Sequence, residues 1–214
     1  MFRSFLNAGL AFALSATAVF ADQVTIAALG DSLTHGFGLP PEDGFVPQLQ
    51  TWLDENGADA ILINAGVSGD TTAGGLSRIE WTLTPDVDGV MVALGGNDLL
   101  RGIDPEVSRQ NLRGILEITA ARGLPVLLVG MDAPSNYGPE YEARFDSMYP
   151  DLASEYGALY YPNFLGVIAA QPDPKAALAE LMQGDAIHPN AQGVALIVQD
   201  MGPSVRALAD KARE

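Results

Sequence analysis

Five short apolar runs recur along the chain: VTIAAL (24–29), AILINA (60–65), GVMVAL (89–94), LPVLLVG (124–130) and ALYY (158–161). They are continuous rather than alternating, the pattern of strands covered on both faces within a parallel sheet. Between them the apolar positions take a helical period. The clearest case is DPEVSRQNLRGILEITAARG, where Asp104 can cap, Pro105 suits the first turn, and Leu112, Ile115, Leu116 and Thr119 trace one face. Gly123 and Pro125 then end the helix. Further helices are predicted over Phe45–Asn56, Ala73–Leu83, Glu140–Tyr156, Lys175–Gln183 and Asn190–Ala212, the last broken or kinked at Gly202-Pro203. This β-α alternation predicts a single α/β domain, a three-layer α/β/α sandwich on about five parallel strands. In the doubly wound order 2-1-3-4-5, strand one lies between strands two and three, and ligands bind at the carboxyl ends of the strands.

Ahead of the first strand, residues 1–21 (MFRSFLNAGLAFALSATAVFA) have the layout of a signal peptide. Arg3 gives the positive start, Ala8–Phe20 the apolar stretch, and Val19-Phe20-Ala21 a small-residue cleavage site before Asp22. The expectation is an exported, periplasmic or secreted protein, folded as one domain over residues 22–214, with no stable membrane insertion once the leader is removed. No later run is long and apolar enough to cross a bilayer.

Composition narrows the chemistry. With 48% hydrophobic and 18% charged residues the chain is an ordinary globular protein. It has no cysteine, which excludes disulfides, a thiol nucleophile and cysteine–zinc sites. The net charge of −16, with Lys175 and Lys211 the only lysines, leaves no basic patch for nucleic acid and repels polyanions at long range.

Candidate chemistry lies in the loops after the first three strands: GDSLTHG, GVSGDTTAGG and GGNDLLRG. Singly, Ser32 could cap a helix, Gly69 satisfy a turn, and Asn97 be a turn asparagine. In the proposed strand order the three loops are neighbours. They then offer a hydroxyl, backbone donors and a side-chain amide to one point, the set that acyl transfer requires. A serine nucleophile needs a base, and the chain has two histidines. In GDAIHPN, Asp185 precedes His188 by three residues, a spacing that lets the carboxylate reach Nδ1 and leaves Nε2 for Ser32. His35 is three residues from Ser32 in the same tight loop, where nucleophile, base and orienting carboxylate cannot readily align. His188 is therefore the expected base. Two readings from other classes stay open here: a two-metal phosphoesterase, poorly supplied by two histidines, and a flavodoxin-like ligand-binding domain without catalysis, which lacks a phosphate-loop motif. No G-x-S-x-G occurs, so the usual nucleophile elbow is absent.

Gly-Asp-Ser-Leu at 30–33, Gly69 in SGDT, Gly-Gly-Asn-Asp at 95–98 and Asp185-x-x-His188 resemble, in order, the four signature blocks of the SGNH, or GDSL, hydrolases. The stretches NAGVSGDTTAGGLSR, LGGNDLLRG, NYGPEYEARFDSMYPDLA and DAIHPN extend the likeness over most of Val24–Val205. They resemble most the periplasmic thioesterase–lysophospholipase and arylesterase branch. The resemblance implies a flavodoxin-like sandwich and a serine hydrolase of carboxylic esters and thioesters. Ser32 would be nucleophile, His188 base and Asp185 its orienting group. The Ser32 and Gly69 amides and the Asn97 side chain would form an oxyanion hole. It implies no metal and no organic cofactor, and a small acyl ester or thioester as partner; the sequence is silent on oligomeric state, and a monomer is assumed. The segments Ala73–Asp86 and Asn136–Tyr149 would line the acyl site. A carbohydrate O-acetylesterase of the same family is the alternative.

Overall fold

The computed structural model describes residues 23–214; the predicted signal peptide, residues 1–21, lies outside the described residues. Five strands, β1 (Val24–Gly30), β2 (Ala60–Gly66), β3 (Gly89–Ala93), β4 (Val126–Val129) and β5 (Leu159–Tyr161), coincide with the five apolar runs. They form one sheet in the order β2-β1-β3-β4-β5, with every pair parallel. Gly30, at the end of β1, pairs with Gly66 on one side and Ala93 on the other. The first three strands therefore finish at one level, and their loops start side by side.

Long helices cover both faces. One layer holds α2 (Phe45–Glu55) and α9 (Ala191–Ala212); the other holds α3 (Thr72–Thr82), α5 (Pro105–Ala121) and α6 (Pro139–Tyr156). Successive strand residues point to opposite faces, so β1 sends Ile26 and Ala28 into the first layer and Ala27 and Leu29 into the second. Both sets are buried, which is why the run reads as unbroken apolar sequence. The edge strand β2 departs from that expectation: Ile61 and Ile63 are 43% and 38% exposed, because α3 packs over β1 and α5 rather than out over the edge.

Four shorter helices, α1 (Ser32–His35), α4 (Gly96–Leu100), α7 (Gly166–Ala169) and α8 (Pro174–Leu181), complete the described residues apart from single 3-10 turns. Three of them are too brief for a hydrophobic period, and the sequence did not predict them.

Nor does α9 break at Gly202-Pro203. It runs through Pro203 to Ala212. An interior proline costs about 3 kcal/mol, but the same helix buries Val194, Ile197, Val198, Met201, Val205 and Leu208, each worth roughly 1.5–3 kcal/mol. Gly202 has a packing role instead. A Cβ there would stand 2.6 Å from the Trp52 ring of α2, so the bare backbone is what lets the two helices touch.

Candidate active site

At the carboxyl edge of the sheet, Asp31 caps α1 by accepting the Leu33 N–H on Oδ1 at 3.0 Å, and Ser32 opens the helix. His188 arrives from the loop between α8 and α9. There Asp185 Oδ1 accepts the N–H groups of Ile187 and His188, each at 3.0 Å, while Oδ2 meets His188 Nδ1 at 2.7 Å. An ionised carboxylate only accepts, so Nδ1 carries the hydrogen and Nε2 is left as acceptor. Nε2 lies 2.8 Å from Ser32 Oγ, the hydroxyl donating. The His188 side chain, then the two backbone N–H groups, hold the Asp185 carboxyl down to about 2. Ala186 takes a φ of 57° within this turn, a left-handed conformation that costs an L-residue roughly 1–2 kcal/mol. Phe37 packs its ring 4.7 Å from that of His188, and Gln183 donates to the carbonyls of Phe37 (2.8 Å) and Pro189 (3.0 Å), bracing the two loops together.

His35 stands apart from this line: its Nδ1 meets Ser68 Oγ at 3.2 Å. Asn97, in the first turn of α4, donates from Nδ2 to Asp31 Oδ2 at 3.3 Å. Gly69 occupies the third position of a turn closed by the Asp70 N–H on the Val67 carbonyl at 3.0 Å, with a φ of 81° that demands glycine there. Its carbonyl accepts from Arg101 Nη2 at 2.7 Å, at the end of the helix that carries Asn97. The fold thus joins Ser32, His188 and Asp185 directly, brings Asn97 in through Asp31, and ties Gly69 to the Asn97 helix.

Two supports escaped sequence reasoning. Arg78 of α3 donates to Asp70 Oδ2 (2.7 Å) and to the carbonyls of Ala65 (2.8 Å) and Gly30 (2.9 Å), holding the ends of β1 and β2 and the Gly69 turn in one fork. Asp98, fully buried, accepts from the Thr72 N–H (2.8 Å), Thr72 Oγ1 (2.5 Å) and Ser108 Oγ (2.9 Å), fixing α4 against α3 and α5. An arginine on an amphipathic helix reads as surface, and the aspartate of GGND gives no spacing cue.

A groove of about 390 Å³ opens beside Ser32 and Asn97, walled mainly by Leu99, Leu100, Met131, Pro134, Leu165 and Ile187. None of its lining residues comes from Ala73–Asp86 or Asn136–Tyr149, the segments expected to line an acyl site. The first is mostly α3, which buries Gly75 and Ile79. The second turns Phe145 and Tyr149 into the core, Tyr149 donating to the Leu94 carbonyl at 3.0 Å. Among the described residues, no three His, Asp or Glu side chains gather closely enough to hold a metal ion.

Hydroxyl, imidazole and carboxylate in line, at the carboxyl edge of a parallel sheet, are the parts of a serine hydrolase. The chain belongs to the GDSL-like Lipase/Acylhydrolase family, which it matches over residues 28–196. It is 36% identical over 186 residues to the esterase TesA of Pseudomonas aeruginosa, covering 86% of this chain and 89% of that one. To the thioesterase 1/protease 1/lysophospholipase L1 of Escherichia coli K12 it is 33% identical over 187 residues, 87% of this chain and 85% of that one. Its fold is similar to that of AlinE4, an SGNH-hydrolase family esterase, with a TM-score of 0.70 and 45% identity over 86% of this chain and 95% of that chain.

Proposed function

We propose that this protein hydrolyses carboxylic esters and thioesters through an acyl-enzyme on Ser32. The observation that carries the reading is the line from Asp185 Oδ2 to His188 Nδ1, 2.7 Å, and from Nε2 to Ser32 Oγ, 2.8 Å. His188 takes the Ser32 proton as Oγ attacks the carbonyl carbon. Charge moves to the carbonyl oxygen, where the Ser32 and Gly69 amides and Asn97 Nδ2 are the donors assigned to it. The intermediate collapses as His188 returns the proton to the departing alcohol or thiol. Water, deprotonated by the same imidazole, then releases the acid and restores Ser32. Asp185 holds the imidazole in the required tautomer and stabilises its charged form.

The apolar groove suits the acyl chain, and relatives named esterase and thioesterase support both leaving groups. All the groups invoked come from one chain, so a monomer suffices. The layout of residues 1–21 supports export and maturation at Asp22.

Labelling with a fluorophosphonate, followed by peptide mass mapping, tests the assignment. The expected adduct is on Ser32, and Ser32→Ala should lose both the label and p-nitrophenyl butyrate hydrolysis. An adduct on another residue, or an active Ser32→Ala enzyme, overturns it. The mass of the exported protein, expected to begin at Asp22, checks the leader.

A further inference from the structure

Asp31 stands between the loops that supply Ser32 and Asn97, and its side chain is buried. Its two oxygens have different partners. Oδ1 caps α1 through the Leu33 N–H, a task that asparagine or serine performs equally well. Oδ2 accepts from Asn97 Nδ2 at 3.3 Å, and among the described residues this is the one hydrogen bond to the Asn97 side-chain amide. The helix beneath that amide is already fixed, because Asp98 anchors α4 to Thr72 and Ser108. What is left to decide is which end of the amide faces which way.

A side-chain amide has two nearly isosteric ends, and only the NH₂ end can serve an oxyanion. An ionised carboxylate accepts and never donates, so it pairs with Nδ2 and rejects Oδ1. We propose that Asp31 is a positioning residue: by holding one Nδ2 hydrogen of Asn97 on its Oδ2, it keeps the other hydrogen available for the substrate oxygen. The inference rests on the reading of Asn97 as an oxyanion donor. It explains why a carboxylate, rather than a neutral cap, is buried directly before the nucleophile.

Asp31→Asn keeps the shape and the cap while letting position 31 donate to Asn97 Oδ1, which favours the flipped amide. For a short p-nitrophenyl ester, kcat should fall about tenfold or more, with the roughly 10²–10³-fold of losing the donor as the limit, and KM should change little. Affinity for an alkylboronic acid, which forms a tetrahedral adduct on serine, should fall in parallel. In an Asn97→Ala background the same change should have almost no effect. Asp31→Ser, which caps but lacks the second oxygen, should lose turnover likewise and serves if Asp31→Asn folds poorly. Wild-type kcat in both variants beside a crippled Asn97→Ala enzyme overturns the inference alone, as does an equal loss in the presence and absence of Asn97. Full turnover in Asn97→Ala removes the reading of the oxyanion site, and this inference with it.

Discussion

Asp185 and His188 are joined twice, through Oδ2 to the imidazole Nδ1 at 2.7 Å and through Oδ1 to the His188 N–H at 3.0 Å, and Oδ1 also accepts the N–H of neighbouring Ile187 at 3.0 Å. The carboxylate thus fixes both the ring's tautomer and the turn that presents it. Asp185→Asn removes the acceptor-only character, so turnover should fall by up to about 10⁴-fold, whereas His35→Ala, which loses only the Ser68 contact, should stay close to wild type. Steady-state kinetics on an aryl ester decide this. A severe loss confined to His35→Ala would reverse the assignment of the base. A carboxyl held down to about 2 gives its stabilisation fully above the ordinary value of 3.8 and loses it as pH falls through about 2. Between pH 4 and 9 Asp185 should therefore add no step to the rate profile.

The walls of the groove beside Ser32 are mostly apolar, so lengthening an acyl chain should gain roughly 0.8 kcal/mol per methylene buried. That corresponds to an increase in kcat/KM of about fourfold per carbon until the groove is filled. Met131→Trp, which fills part of the groove, should move the optimum to shorter chains while leaving acetate hydrolysis nearly unchanged. A series of p-nitrophenyl esters from acetate upward measures both effects. A flat profile in the wild type, or an optimum at acetate, would contradict an acyl chain in this groove and favour small acetyl substrates.

Gly202 and Trp52 supply a prediction about the fold. A Cβ at position 202 would stand 2.6–2.7 Å from three atoms of the indole, between helices that both belong to the core. Gly202→Val should cost about 1–3 kcal/mol or more through overpacking, and it should displace Trp52, whose Nε1 donates to Gln199 at 3.2 Å. Urea unfolding followed by tryptophan fluorescence tests it. Unchanged stability would show that the α2–α9 contact is loose.

The fold was legible because strands covered on both faces must be apolar throughout, and the runs around Ile26, Met91 and Leu127 are. The edge of the sheet was less legible: Ile61 and Ile63 look like core residues until the position of α3 is known. The residues gathered around Ser32 could be named in advance because the chain offers only two histidines, one with a carboxylate at the right spacing. Their supports could not. Arg78 acts on backbone carbonyls from two strands, and Asp31 on an asparagine 66 positions away, and contacts of that range leave no periodic trace. Gly202-Pro203 does not break α9 for a related reason, since the local cost of proline is outweighed by burial along the whole of the helix.

Burying the Asp31 carboxyl carries a cost in stability. Among the described residues it has no ion-pair partner, and burial pushes its carboxyl up from the ordinary 3.8 to about 6. Of the charged and titratable groups facing it, His188 and the Asn97 and Leu33 hydrogen bonds pull that value down, Asp70 pushes it up, and the Tyr149 hydroxyl lies close enough to feel its charge. A folded pKa above the unfolded one means that the folded protein holds the proton more tightly. Stability from this group is therefore complete below about pH 4, declines as pH rises to about 6, and above that the buried charge costs up to about 3 kcal/mol. Asp31→Asn should accordingly unfold at a higher temperature than wild type at pH 8, with the advantage shrinking toward nothing at pH 4. Calorimetry at the two pH values measures it. A variant less stable at pH 8, or an advantage equal at both, would show that the carboxylate is not held against an electrostatic penalty. If the advantage is present at pH 8 together with a fall in kcat, the same carboxylate lowers stability while it sets the orientation of Asn97.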